Sequence, residues 1–329
     1  MGGHVVGRFA PSPTGPLHEG SLVAALGSYL FARREGGEWR LRIDDLDTPR
    51  VVPGAADDIL RTLDALGLHW DGPPLWQSSR VAAYSGAFER LLEAGQIYPC
   101  GCSRSEIIRL ATAPHDGEGE TPYPGICASG LPAGKSPRAW RFRVPAEPVA
   151  FTDLLRGVQN IPLREVCGDF IVRRADGIFS YQLATVVDDE YQGVTQVVRG
   201  EDLLTSTPRQ ILLQRLLGIP VPTYAHLPLV CSPGGGKLSK RDAVVSSVRF
   251  DRERSGSRLL ASAARFLGVD LPPDADRFPP HEIVHLSLHL FDPARIAVGS
   301  ASYNVAGGVR PSPLCSTSQS QARSSATAT

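Results

Sequence analysis

The chain has 329 residues, 42% of them hydrophobic, enough for two domains or for one large α/β domain carrying an insertion. Lys plus Arg and Asp plus Glu each total 34, so no global field attracts nucleic acid, and any RNA contact has to come from local groups such as Arg138, Arg141 and Arg143. No apolar run approaches the ~18 residues of a membrane span, and the start, MGGHVVGRFAPSPTG, lacks the charged onset and long apolar centre of a signal peptide; a cytoplasmic protein with no membrane partner is expected.

Residues 5–10 read as a first strand. A loop stiffened by Pro11, Pro13 and Pro16 and opened by Gly15 and Gly20 follows, suited to close backbone approach by a ligand. Leu22, Ala25, Leu26, Tyr29 and Leu30 then recur at helical spacing, which predicts a helix from about Ser21, as N-cap, to Arg34. A strand at WRLRIDDLD, a helix near Ala55 to Leu66 and another near Val81 to Ala94 complete residues 1–98 as the first half of a parallel α/β unit.

Periodicity fails from about Pro99 to Pro145, and Gly, Pro, Ser and Cys dominate, so residues 99–150 read as an insertion built on loops and a metal. Alternation resumes in IVRR, SYQLATVVDDE, TQVVRG and TPRQILLQRLLG, placing the second half of the unit, with the loop PGGGKLSKRD, in residues 151–243. Residues 244–300 read as a short helical segment around SRLLASAARFLG, and residues 301–329, rich in Ser, Ala, Thr and Gln, as a disordered tail.

A helix N-terminus behind a tight glycine loop favours phosphate, because its unpaired N–H groups and dipole both attract negative charge. His18 and Gly20 sit at that mouth; the imidazole can donate to a phosphate oxygen, and the absent Cβ leaves room for a base or ribose. Lys237 and Lys240, behind a run of glycines, are two ammonium groups able to close over a triphosphate. Cys100, Cys102 and Cys127 cluster in the insertion, and three thiolates with one more donor make a closed zinc site. Chemistry alone leaves the fourth donor open between Tyr123 and His115. Cys167, Cys231 and Cys315 are unrelated to this cluster.

GRFAPSPTGPLHEGS, RIDDLDTPR, VVRGEDLL and KLSKR, in this order, resemble the class I aminoacyl-tRNA synthetases of the glutamyl group over residues 5 to about 298. HEGS at 18–21 is similar to the HIGH signature of that class and KLSKR at 237–241 to its KMSKS signature. The resemblance implies a Rossmann-like catalytic domain with a small zinc-containing insertion and a short helical C-terminal segment. It implies that His18, Lys237 and Lys240 are catalytic, and that His18, Gly20, Ser21 and Lys240 bind ATP, with Mg²⁺ on the phosphates. The glutamate pocket it implies is Arg8, Phe9, Ala10, Pro11, Ser12, Asp44, Tyr181 and Arg199. Two carboxylates need two cationic donors, which the arginines provide, and the ammonium needs an acceptor. Asp44 stands where the family usually has glutamate, and Ser21 where the signature has its second histidine. For the insertion the resemblance implies Cys100, Cys102, Tyr123 and Cys127 as the ligands of a structural Zn²⁺.

Only about 90 residues follow Arg241, too few for an anticodon-binding domain. The resemblance is therefore to a branch of the group that activates glutamate with ATP and attaches it to queuosine at the wobble position of tRNA(Asp), the anticodon loop entering the site as substrate. A monomer is expected. The alternatives are a truncated enzyme charging the 3′ end of tRNA(Glu), a small-molecule nucleotidylyltransferase, and a non-catalytic RNA-binding paralogue.

Overall fold

The fully buried segment VGRF forms β1 (Val6–Phe9). The Pro/Gly loop leads into α1 (Glu19–Arg34), which returns to β2 (Glu38–Ile43), parallel to β1. Then come α2 (Ala55–Ala65), the two-residue β3 (Leu75–Trp76) parallel to β2, and α3 (Val81–Glu93). The computed structural model describes residues 4–110, 121–231, 254–297, 301–302 and 310–311.

Two local expectations are corrected. Ser21 lies inside α1; the N-cap is His18, whose Nδ1 accepts the Ser21 N–H at 3.2 Å in the place a hydroxyl or carboxylate usually takes. The strand at WRLRIDDLD stops at Ile43, because the Asp44 N–H turns away to donate to the Pro11 carbonyl at 3.0 Å.

The next segment holds β4 (Ile97–Cys100), α4 (Arg104–Leu110), β5 (Ala139–Phe142), β6 (Val149–Asp153), β7 (Gly157–Ile161), α5 (Leu163–Val166) and β8 (Ile171–Arg173). β4, β5 and β8 form an antiparallel sheet, and β6 with β7 an antiparallel hairpin. β8 falls on the IVRR segment where alternation is expected to resume; β4, β5, β6 and β7 escaped the sequence reading because each has five residues or fewer, too short for alternation to register. The parallel unit resumes with α6 (Tyr181–Tyr191), β9 (Gln196–Gly200), α7 (Thr207–Leu217) and β10 (Thr223–Leu227). β11 (Val230–Cys231), α8 (Arg254–Phe266) and α9 (Pro280–Leu290) follow, α9 having no counterpart in the sequence reading. Within residues 301–329, β12 (Ala301–Ser302) pairs parallel to β11, and β13 (Arg310–Pro311) pairs antiparallel to β12.

A parallel sheet of order β1-β2-β3 and a mixed sheet of order β7-β6-β10-β9, in which only the β6–β7 pair is antiparallel, meet along β1 and β9. The Thr195 N–H donates to the Val6 carbonyl at 3.0 Å, and the Val6 N–H to Thr195 Oγ1 at 2.9 Å. Strand order reverses at this seam, the place where open α/β sheets form ligand crevices beyond the carboxyl ends of their strands. Successive residues enter opposite cores: Val198 and Ala225 join α1, α2, α8 and α9 on one face, Val197 and Tyr224 join α3, α6 and α7 on the other. A sheet covered on both faces requires near-continuous apolar strands, as VV and YA supply. Close approach of α1 depends on glycine: a Cβ on Gly7 would stand 2.8 Å from Ala32 Cβ, and one on Gly27 would stand 2.6 Å from Leu227 Cδ1. No helix among the described residues is long and apolar enough to cross a membrane.

Candidate active site

A cavity of about 550 Å³ opens at the carboxyl ends of β1 and β9 and the N-terminus of α1. It brings together Arg8, Phe9, Ala10, Pro11 and Ser12 with His18, Gly20, Ser21, Tyr181 and Arg199. Asp44 does not line it, and Lys237 and Lys240 lie outside the described residues. Gly20 has a local role besides any nucleotide: a Cβ there would sit 3.2 Å from His18 Nδ1. His18 Nε2 is 3.0 Å from Ser21 Oγ, so with Nδ1 accepting from the backbone both ring nitrogens are engaged.

The two arginines enter the cavity as buried charges, Arg8 3% and Arg199 4% exposed. Arg8 Nε donates to Asp189 Oδ1 at 3.3 Å, and its two terminal nitrogens have no partner among the described residues. Asp189 also accepts from Arg42 NH1 at 2.6 Å, and Arg42 Nε donates to Asp44 Oδ1 at 2.7 Å. Burial would push the Asp189 carboxyl up, but Arg8 and Arg42 pull it below the usual range, so it stays ionised between two guanidiniums. Asp44 shows the reverse balance: burial outweighs Arg42 and pushes its pKa up to about 6. Its Oδ2 has no hydrogen-bond partner among the described residues.

Arg199 is held on four sides. Nε donates to His226 Nε2 at 3.2 Å, one terminal nitrogen donates to Thr207 Oγ1 at 2.8 Å and the Leu203 carbonyl at 3.4 Å, and the other donates to Tyr181 Oη at 3.4 Å. His226 Nδ1 lies 2.6 Å from Asp153 Oδ2. Sequence reading missed Arg42, Asp189, Asp153, His226 and Thr207. One signal was available, the carboxylate pair in VVDDE on an otherwise apolar helix face; Asp188 takes Tyr84 Oη at 2.6 Å and Arg80 Nε at 3.2 Å, while Asp189 turns to Arg8 and Arg42.

In the insertion, the sulfurs of Cys100, Cys102 and Cys127 lie within 4.8 Å of one another. Tyr123 Oη is 3.3 Å from Cys100 Sγ and 3.7 Å from Cys102 Sγ, and Cys102 Sγ is 3.6 Å from Cys127 Sγ. A tetrahedral ion with S–metal bonds of about 2.3 Å and O–metal bonds of about 2.0 Å requires S···S separations near ~3.8 Å and O···S separations near ~3.5 Å, which the Cys102–Cys127 distance and the distances from Tyr123 Oη to Cys100 and Cys102 approach. His115 lies outside the described residues. Burial raises the Cys100 thiol, but hydrogen bonds from Tyr123, the Cys102 backbone and Arg141 outweigh it and leave it below its ordinary value. Burial, together with the neighbouring thiols, pushes Cys102 up to about 11. Arg141 is corrected as a candidate RNA contact: it is buried, donates to Cys100 Sγ at 3.3 Å and to the Asp169 carbonyl at 2.7 Å, and stacks 3.8 Å from the centre of the Tyr123 ring. Arg138 and Arg143 remain exposed.

A strand, a phosphate-type helix N-terminus and a second strand enclosing a dicationic cavity at the sheet reversal define a nucleotide-binding class I synthetase core. The pattern of the family "tRNA synthetases class I (E and Q), catalytic domain" matches residues 4–278. The chain belongs to that family and is a ligase of its glutamyl type. It is 60% identical over 301 residues, 91% of this chain and 96% of the relative, to the glutamyl-Q tRNA(Asp) synthetase of Geobacter sulfurreducens. It is 58% identical over 267 residues, 81% and 87% of the two chains, to the protein of the same name from Dechloromonas aromatica. Among solved structures it is similar to a glutamate tRNA ligase from Elizabethkingia meningosepticum crystallised with its amino acid, with a TM-score of 0.75 and 28% identity over 92% of this chain and 67% of that one. The expected α/β architecture and glutamyl-type ligase class both hold.

Proposed function

We propose that this chain activates glutamate with ATP to glutamyl-AMP and transfers the glutamyl group to queuosine at the wobble position of tRNA(Asp). The observation that carries the reading of the cavity is the pair of nearly buried guanidiniums on adjoining strands, one with both terminal nitrogens unpartnered among the described residues. Arg8 is paired with Asp189 through Nε alone, and buried guanidinium N–H donors left without acceptors are costly; the carboxylates of an acidic amino acid offset that cost. Relatives bearing the glutamyl-Q tRNA(Asp) synthetase name support the RNA half of the proposal.

In this reading Arg8 and Arg199 take the two carboxylates, Ser12 and Tyr181 add hydroxyl contacts, and Phe9, Ala10 and Pro11 shape the floor. Asp44, which does not line the cavity, is given no contact with the amino group in this reading. The substrate α-carboxylate attacks the α-phosphorus of ATP in line and pyrophosphate leaves. His18, Gly20 and Ser21 hold the phosphates at the helix mouth, and Lys237 and Lys240 neutralise charge as it builds. Mg²⁺ bound to the phosphates supplies further neutralisation. Cys100, Cys102, Tyr123 and Cys127 hold a structural Zn²⁺, and the chain acts as a monomer in the cytoplasm. Labelled glutamate, ATP and tRNA(Asp) with or without queuosine provide the test. Label on the queuosine base is expected; label on a 3′-terminal ribose, or none on RNA, would overturn the proposal.

A further inference from the structure

We propose that Asp153 and His226 form a positioning relay that sets the guanidinium of Arg199, and through it the grip on an acidic substrate. The inference rests on the assignment of Arg199 to a substrate carboxylate. None of Asp153, His226 and Thr207 lines the cavity, so each acts through Arg199.

The three members come from neighbouring strands: Asp153 ends β6, His226 lies on β10 and Arg199 on β9, with His226 directly opposite Arg199 in the ladder. The side chains of Asp153 and His226 are both fully buried. Asp153 Oδ1 accepts the backbone N–H groups of Leu155 at 3.0 Å, Arg156 at 2.9 Å and His226 at 3.3 Å, which leaves Oδ2 for His226 Nδ1. A carboxylate with so many donors stays ionised, and burial, though it acts against this, does not prevent its pKa from falling below the usual value.

An ionised Oδ2 at 2.6 Å from Nδ1 places the imidazole proton on Nδ1. Nε2 then carries a lone pair, and the groups facing it are donors: Arg199 Nε at 3.2 Å and the Thr207 hydroxyl at 3.1 Å. An imidazolium, or the other tautomer, would set an N–H against the guanidinium N–H. Burial first, and the Arg199 charge as well, hold the imidazole neutral against the pull of Asp153. Arginine is long and rotamer-rich, so a fixed acceptor at Nε converts a mobile charge into a pre-set one. With Nε, Thr207 and Leu203 satisfied, the nitrogen beside Tyr181 keeps one hydrogen without a partner among the described residues.

Asp153→Asn tests the relay without changing the cavity wall. The amide can still accept the backbone N–H groups through Oδ1, but its NH₂ group faces Nδ1 and drives the proton to Nε2, against Arg199. Glutamate-dependent ATP–pyrophosphate exchange should show KM for glutamate raised by about 10- to 100-fold, with kcat and KM for ATP changed by less than about threefold. ¹⁵N NMR should show the His226 proton moving from Nδ1 to Nε2. In a second pair, His226→Gln, whose Oε1 can accept from Arg199, should retain more glutamate affinity than His226→Leu. An unchanged glutamate KM in Asp153→Asn, or equal losses for glutamate and ATP, overturns the relay when Arg199→Ala still raises the glutamate KM. An unchanged KM in Arg199→Ala overturns the underlying assignment instead. If Asp153→Asn does not fold, equal KM values for the Gln and Leu variants overturn the relay.

Discussion

The cavity wall and the thiol cluster both concentrate reactive or charged side chains in poorly solvated surroundings, yet they are assembled in opposite ways. Arg8 reaches Asp189 across 181 residues and Arg42 reaches the same carboxylate across 147, so the wall exists only once both halves of the sheet have docked. The cysteines and Tyr123 fall within one stretch from 100 to 127, around a small apolar patch of Tyr98, Ile107, Ile126 and Leu131. In the first site long-range charges constrain each other; the second is poor in apolar mass, and the proposed ion would supply its cohesion.

If that contrast is right, damage to the wall should alter substrate selection, whereas damage to the cluster should alter local integrity. The largest effect is expected from Arg8→Ala, which leaves Asp189 one cation short and removes a donor fork: kcat/KM for glutamate in ATP–pyrophosphate exchange should fall by about 100- to 1000-fold. A loss below tenfold would mean that Arg8 serves the fold and not the ligand.

Next is Asp44, whose folded pKa of about 6 stands above its ordinary 3.8. A raised carboxyl pKa means that the folded state favours the proton, so stability linked to Asp44 is present below pH ~4 and lost as pH rises through ~6, a change of about 3 kcal/mol. Denaturant unfolding of the wild type against Asp44→Asn should therefore show the wild type losing ground between those pH values. A constant difference would remove the inference of dominant burial.

Chelation, or Cys127→Ser, should remove metal detectable by elemental analysis and expose amides of residues 97–110 and 121–131 to hydrogen exchange. Transfer to RNA should fall about tenfold while ATP–pyrophosphate exchange changes by less than about twofold. Equal loss of both steps would tie the cluster to the cavity. The smallest effect belongs to Ser21→Ala, which removes the 3.0 Å contact to His18 Nε2 but leaves the backbone N–H cap; a change in kcat within about threefold is expected from stopped-flow measurement of adenylate formation.

The same contrast explains what could be read from the chain alone. C-x-C followed by Y-x-x-x-C is a local arrangement, and His18, Gly20 and Arg8 sit in one loop beside one strand, so spacing or resemblance reaches them. Asp189 and His226 offered no such handle: each is a polar residue inside an apolar element, and only the docking of β1, β6, β9 and β10 shows what it faces. The helices at 55–65 and 81–93 were legible from their apolar stripes. Strands of four or five residues in the 97–173 segment were not, because tertiary pairing and not periodicity defines them.

The seam between Val6 and Thr195 has a mechanical consequence. Arg8 stands two residues beyond one side of it and Arg199 four residues beyond the other, so the spacing of the strands that carry them is set by one main-chain bond, from the Thr195 N–H to the Val6 carbonyl at 3.0 Å, and one bond from the Val6 N–H to the Thr195 hydroxyl at 2.9 Å. Main chain does not hop between rotamers. The strands beneath Arg8 and Arg199 therefore keep one spacing, and under the proposed assignment of the two arginines a dicarboxylate one methylene shorter or longer has to be met by side-chain movement alone.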